Sequence, residues 1–222
     1  MNVPGIPGGA VRVLASTYGI LVGLAGIEHG VFELLQGHTK PDGLMIDAIG
    51  PAQRFWEHAS ETALTVIPSF LITGIFAIII GVAVVIWSAT MVHRKLGPVV
   101  LLGLCIVLFL VGGGFGPIFM SLLAFGAASR IGKPLRWWRA HLRGSLRALL
   151  SALFPWLLGV FVLVFVVGVE IAIFGDPLAS MVGADAASRI QYGLAYAMVA
   201  LMILCVPCSF ARDITTRSNA EA

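Results

Sequence analysis

Charge is what this sequence has least of. Only 11% of its 222 residues are Asp, Glu, Lys or Arg, against about 25% in an ordinary soluble domain. With 59% hydrophobic residues and a mean hydropathy of +0.98, no stretch is polar enough for a separate soluble domain. Cysteine is scarce as well. Cys105, Cys205 and Cys208 all sit in apolar segments, which excludes a disulfide framework of the secreted kind. The first apolar run, 13–27, follows a single basic residue, Arg12, and is followed by Glu28-His29 rather than a small-x-small cleavage site. It therefore reads as an uncleaved span and not as a signal peptide. Catalytic signatures are missing too: no H-E-x-x-H, no phosphate-binding loop ending in Lys-Ser/Thr, no dinucleotide fingerprint and no Ser-His-Asp order. No metal and no cofactor is assigned from the sequence.

What the chain does have is long apolar runs. The predicted fold class is all-α, a polytopic integral membrane helical bundle forming one domain over 1–222. Four long spans are expected at about 11–36, 61–89, 148–174 and 190–210. Between them, 97–129 is too long for one crossing: as a single helix it would extend about 50 Å, against a hydrocarbon core of about 30 Å. It is also interrupted by GGGFGP at 112–117. Glycine costs a helix about 1 kcal/mol per position, and proline removes a donor and clashes with the preceding turn. The stretch is therefore expected to form a helical hairpin, 97–112 and 116–129, giving about six membrane segments, with a re-entrant or shallow pair as one form of it.

Charge placement sets the orientation. In the hairpin topology Arg12, Arg94, Lys95, six basic residues between 130 and 147, Arg212 and Arg217 share one side. That is eleven of the fourteen Lys and Arg, and cytoplasmic loops are enriched in these residues. A single kinked span would instead put ten on the inner side, so the charge rule alone separates the two poorly; the break and the excess length favour the hairpin. The expected location is the plasma membrane, with both termini cytoplasmic. The basic link predicts an amphipathic interfacial helix over about 134–147, with Leu135, Trp138, Leu142 and Leu146 on one stripe and Arg136, Arg139, Arg143 and Arg147 on the next. Its expected partners are anionic lipid headgroups at Arg136, Arg139, Arg143 and Trp138. Nucleic acid is not an expected partner, because basic cytoplasmic links are usual in membrane proteins.

Candidate functional residues cluster toward the opposite side. Gly19, Gly23, Gly26 and Gly30 form one helical stripe, which permits close helix approach in lipid. Glu33 continues it, with His29 one turn earlier as its nearest partner. Glu28 falls on another face. A second stripe, Glu61, Thr65, Ser69 and Thr73, would descend the second span. Glu170 lies near the end of its own span. Carboxylates inside spans are costly and are functional candidates by default. Interrupted helices expose free N–H and C=O groups of the kind that build substrate sites in transporters. The candidate substrate or ion site is therefore Glu28, His29, Glu33, Glu61 and Glu170 with Gly112, Gly113, Gly114 and Gly116. Cys205 and Cys208 form a C-x-x-C that could act in redox chemistry; it closes a helix instead of opening one, so buried packing residues around Pro207 are the plainer reading.

The functional expectation is movement of a small solute or ion, proton-coupled, through an outward-opening polar cavity. A non-transport accessory or assembly subunit is the alternative, and an intramembrane redox or metal-dependent enzyme the third. A chain this small is expected to work as a homo-oligomer or within a larger membrane complex.

Overall fold

The computed structural model describes residues 9–220. Among them the fold is all-α apart from one small two-stranded hairpin. Helix α1 spans Ala10–Leu35, α2 Phe70–Thr90, α3 Gly97–Leu110, α4 Phe115–Ala128, α5 Arg136–His141, α6 Gly144–Phe174, α7 Asp176–Val182 and α8 Ala184–Ala220. Strands β1 (Met45–Asp47) and β2 (Thr62–Leu64) pair antiparallel, Met45 opposite Leu64 and Asp47 opposite Thr62. Four helices, α1, α2, α6 and α8, are long and apolar enough to span a membrane. Helices α3 and α4, 14 residues each, reach only about 21 Å apiece at 1.5 Å per residue.

Several expected boundaries are corrected. The second long helix begins at Phe70, not near 61. The β-branched run through Thr62, Thr65, Val66 and Ile67 prefers an extended backbone, and Pro68 holds its predecessor out of the helical region. The supposed helical stripe of Glu61, Thr65, Ser69 and Thr73 is therefore not a stripe: only Thr73 is on the helix. The 134–147 segment is not one helix either. It holds the short α5, a break at Leu142 and Arg143, both extended, and then α6. Gly144 beside the break explains part of this, being a poor interior helix residue. The final helix is much longer than 190–210, because nothing between Ala211 and Asn219 stops it and Pro207 is tolerated inside it.

Close helix contact starts with glycine. Helices α1 and α2 pack antiparallel through Gly23 against Gly81 and Gly30 against Gly74. The pairs are seven residues apart on both helices, two full turns. A Cβ on Gly23 would lie 2.6 Å from the Gly81 carbonyl, and one on Gly30 would lie 2.8 Å from the Gly74 carbonyl. Gly26 faces the Leu108 side chain and Gly19 faces Ser88 and Leu101. So Leu101 and Leu108 follow α1 in the same direction, and α3 runs parallel to it. Helix α4 returns: Gly112 and Gly114, just before it, meet Glu33 and His29 of α1, while Ile131 and Gly132, just after it, lie beside Gly9 and Arg12.

Helices α6 and α8 form a second antiparallel pair set against this bundle. At one end Asp213 accepts from the Ala10 N–H at 2.6 Å, capping α1 from across the fold. Midway, the Tyr18 hydroxyl donates to the Met202 carbonyl at 2.7 Å, and its ring packs on Phe161 with centroids 5.0 Å apart. Arg217 donates to the Lys133 carbonyl. The end of the bundle that holds Gly9, Asp213 and Lys133 thus gathers the eleven basic residues named above. The opposite end carries the 36–69 loop, which has its own small core of Phe32, Ile49, Trp56, Ala59, Ile173 and Ala187.

Because the obstacle at Gly23 is backbone, Gly23→Ala should destabilise the purified protein by about 1–3 kcal/mol. Gly159, exposed on α6 with open space around it, should accept alanine with a gain of up to about 1 kcal/mol. Thermal melts of both variants in one detergent check this; equal melting points would show that the α1–α2 contact is not set by glycine.

Candidate functional site

The site is assembled by a loop that reaches back into the bundle. Gln36, at the end of α1, donates its side-chain amide to the carbonyls of Asp47 (3.1 Å) and Ala48 (2.7 Å), which holds β1 at the helix terminus. Beyond β2 the chain continues extended into the glycine break. The Gly112 N–H donates to the Leu64 carbonyl at 2.9 Å, and the Val66 N–H donates to the Leu110 carbonyl at 3.0 Å; Thr65 and Val111 form an antiparallel bridge. A helix that stops inside a bundle leaves terminal N–H and C=O groups without partners. Here the loop strand supplies partners for some of them. The Thr65 and Thr73 hydroxyls bond to each other, which ties the loop to the start of α2.

Two glycines of the break are required twice over. Gly112 and Gly114 have φ of 98° and 82°, a region that side-chain-bearing residues avoid. A Cβ on Gly112 would also strike the Glu33 carboxyl group, and one on Gly114 would strike the His29 imidazole. The backbone is thus laid directly against the two polar side chains of α1. Gly113 is different: it faces Leu108. Gly116 has open space around it and lines the cavity described below.

His29 is buried, and its Nε2 lies 3.6 Å from the Glu61 carboxylate and 4.0 Å from that of Glu28. Its partners are therefore Glu61 and Glu28, not Glu33 as its helical position suggests. Glu61 is delivered by the loop, just before β2. Its N–H donates to Asp47 Oδ1 at 2.9 Å, and Asp47 is held in turn by Arg54 at 3.0 Å. Burial pushes the Glu61 carboxyl from its ordinary 4.5 up to about 7, and the Asp47 charge acts in the same direction. Glu33 is completely buried, and neither of its oxygens has a hydrogen-bond partner; His29 Nδ1 and Glu28 Oε1 are also unpartnered. A polar group left in this state costs free energy, so the cluster is a candidate for binding or proton exchange.

Glu28, His29 and Glu61 line one part of a cavity of about 680 Å³ between α1, α4, α6 and α8. The rest of its wall is almost wholly apolar: Phe119, Met120, Phe161, Phe165, Met198 and Met202 are typical, with Gln191 as an additional polar group. This differs from the outward-opening polar cavity expected from sequence. Trp56 donates its indole N–H to the carbonyl of Ala172, a wall residue, at 3.1 Å, so the loop is fastened to α6 beside the cavity. Phe119 on α4 and Ile203 on α8 line the cavity while 61% and 57% exposed. The mouth is therefore lateral, on the apolar flank between α4 and α8.

Glu170 does not join the site; it is exposed on α6 and lines no part of the cavity. Cys205 and Cys208 are free thiols buried in α8, near Tyr18 and away from the carboxylates, and α8 continues well past them. No cluster of three His, Cys, Asp or Glu suited to a metal ion exists among the described residues. Sequence reasoning missed Asp47, Trp56 and Gln191. A polar Gln191 at the start of an apolar run was a readable signal; the roles of Asp47 and Trp56 depend on how the loop folds. Comparison with protein-family models, curated proteins and solved structures returned no match.

A carboxyl whose pKa is raised on folding favours the folded state fully below its unfolded value, here about 4.5, and loses that contribution as pH rises toward about 7. The melting-point difference between the unmodified protein and Glu61→Gln should therefore shift against the unmodified protein across that window and stay flat above it. A difference independent of pH would show that Glu61 is solvated.

Proposed function

We propose that this chain is a multi-pass membrane protein that moves a small solute in exchange for protons, with Glu28, His29, Glu33 and Glu61 as the titrating groups. The observation that supports this most directly is the convergence of three of them at one cavity, beside a fully buried Glu33 whose oxygens have no partner. Such groups must exchange protons or cations to remain buried at modest cost. The glycine break brings backbone to within contact of His29 and Glu33, and α4 begins there without a side-chain cap. Its first N–H groups and positive dipole end face the cluster. Interrupted helices serve this role in transporters.

In this reading α3 and α4 form a hairpin whose tip lies toward the outer face, and the plasma membrane holds the chain with both termini in the cytoplasm. The gathering of eleven Lys and Arg at the other end of the bundle supports that orientation. Trp137 at that end and Tyr192 toward the other are exposed, as aromatic residues are at the two interfaces. Arg136, Arg139, Arg143 and Trp138 then meet anionic headgroups. The second reading, an accessory subunit in a larger assembly or a homo-oligomer, draws on the wide apolar exposure of α6 and α8, which a partner chain would cover as readily as lipid.

Topology is tested by labelling. A cysteine at Thr39 should react with an impermeant reagent applied to intact cells, and one at Arg94 should be protected; the reverse pattern would overturn the orientation.

Function is tested in sealed liposomes containing a trapped pH indicator. A mixed pool of amines, including ones with apolar bodies, carboxylates and alcohols added outside should discharge an imposed proton gradient faster than in protein-free vesicles. Glu33→Gln keeps the shape but not the proton, and should reduce that exchange at least tenfold while leaving the melting point nearly unchanged. Equal exchange by Glu33→Gln, or none by the unmodified protein, would remove transport and leave the accessory role.

A further inference from the structure

We infer that the cavity takes an amphipathic monocation: a compact, positively charged head at Glu28 and Glu61, and an apolar body against α4, α6 and α8, entering sideways from the membrane. This names the substrate class of the site proposed above and rests on that reading for its connection to transport, but not for binding.

Four observations carry it. The first is charge. Two carboxylates face the cavity and converge on one imidazole nitrogen, while no Lys or Arg is among its lining residues. A cation is the ligand charge this end accepts, and an anion would be repelled by both carboxylates. The second is unmet bonding. Glu28 Oε1 and His29 Nδ1 are buried without partners, and His29 is 3% exposed, so hydrogen-bonding capacity is left over inside an enclosed site. The third is the wall. Beyond the polar end the lining is apolar apart from Gln191, with Gly116 and Gly168 leaving room at the backbone. A small hydrophilic cation would gain nothing there, whereas an apolar body would be removed from water. The volume of about 680 Å³ falls among sites for drug-sized molecules, about 300–1,000 Å³. The fourth is the route. Trp56 fastens the loop to α6 at the polar end, and the exposed Phe119, Leu122, Val199 and Ile203 flank a lateral mouth. A molecule already dissolved in the bilayer reaches this mouth without crossing water.

Charge balance ties this ligand to protons. Around His29 Nε2 sit two carboxyl groups, with Asp47, paired to Arg54, behind Glu61 and Glu33 one turn further along α1 against Gly112; from α4, α6 and α8 only the neutral Gln191 is polar. Bringing in one positive charge therefore releases a proton from the cluster, and bringing back the proton expels the cation. No bond is made or broken beyond that proton transfer.

The test uses the full chain, purified in a neutral detergent, and two probes of the same shape and opposite charge: tetraphenylphosphonium and tetraphenylborate. The cation should bind and the anion should not. Affinity for the cation should tighten by up to about tenfold per pH unit as pH rises toward about 7, with proton release visible in a weakly buffered solution. Glu61→Gln and Glu28→Gln should each weaken binding at least tenfold, whereas Glu170→Gln, outside the cavity, should not. Two competitors then locate the source of the natural ligand. Oleylamine placed in nanodiscs displaces the probe if the ligand is bilayer-resident, and water-soluble phenethylamine displaces it if the ligand arrives from solution; displacement by either supports the inference, and displacement by neither overturns it. Equal binding of cation and anion, or cation binding without pH dependence, also overturns it, and both measurements use the unmodified protein, so neither depends on a variant that folds. Binding without liposome exchange would fail the transport reading and leave this inference standing; exchange without selective cation binding would do the reverse.

Discussion

The pairing of one extended loop segment with a broken helix holds the candidate site together. Leu64–Val66 and Leu110–Gly112 exchange backbone hydrogen bonds, so a helix can stop inside the bundle without leaving all its terminal groups unpaired. Backbone N–H and C=O groups freed inside a bundle need partners, and this loop supplies some of them. The same segment places Glu61 next to His29. Stabilisation of the break and construction of the acidic site are thus one structural event, and a change to the loop strand would disturb both.

Glycine sets the distances on which this depends. The Gly23–Gly81 and Gly30–Gly74 contacts bring α1 and α2 together backbone to backbone, and that close approach gives packing in lipid, where apolar surface alone does not drive association. Gly112 and Gly114 then let the break lie directly on Glu33 and His29. Two uses of glycine meet on α1: one face packs on α2 and the polar side chains face α4. The outcome is a tight bundle of α1 to α4, beside which the α6–α8 pair makes fewer contacts and leaves the cavity.

That asymmetry separates closely packed from open parts of the molecule. The α6–α8 pair is fastened at the basic end by Asp213 and midway by Tyr18 and Phe161. At the other end it is held by Trp56 and the small core under the loop. Between these fastenings the wall is apolar and parts sideways toward α4. A charged cluster at the end of an apolar cleft is the kind of arrangement in which burial of a carboxylate is offset by a proton or a cation rather than by a fixed salt bridge.

Much of the fold was determined by sequence alone, because burial in lipid leaves a strong one-dimensional record. The four long helices are apolar runs of spanning length, the GGGFGP break follows from glycine and proline, and the basic residues already mark one end. The glycine stripe correctly identified the close face of α1, and Glu28, His29, Glu61, Gly112 and Gly114 were legible as polar or breaking residues in apolar surroundings. What only the tertiary structure decided depends on long-range contact. A helical period was read through Glu61 and Thr65, yet β-branched residues and Pro68 make that segment extended, and its partner is a break some 46 positions away in the chain. His29 meets Glu61 instead of Glu33 because a folded loop carries Glu61 there. Glu170 lies outside the cavity because the α6–α8 pair turns that face outward. Periodicity along a chain records which face is apolar; it carries no record of which distant strand will fill a gap in a helix, because that choice is made by unpaired backbone groups that every sequence possesses alike.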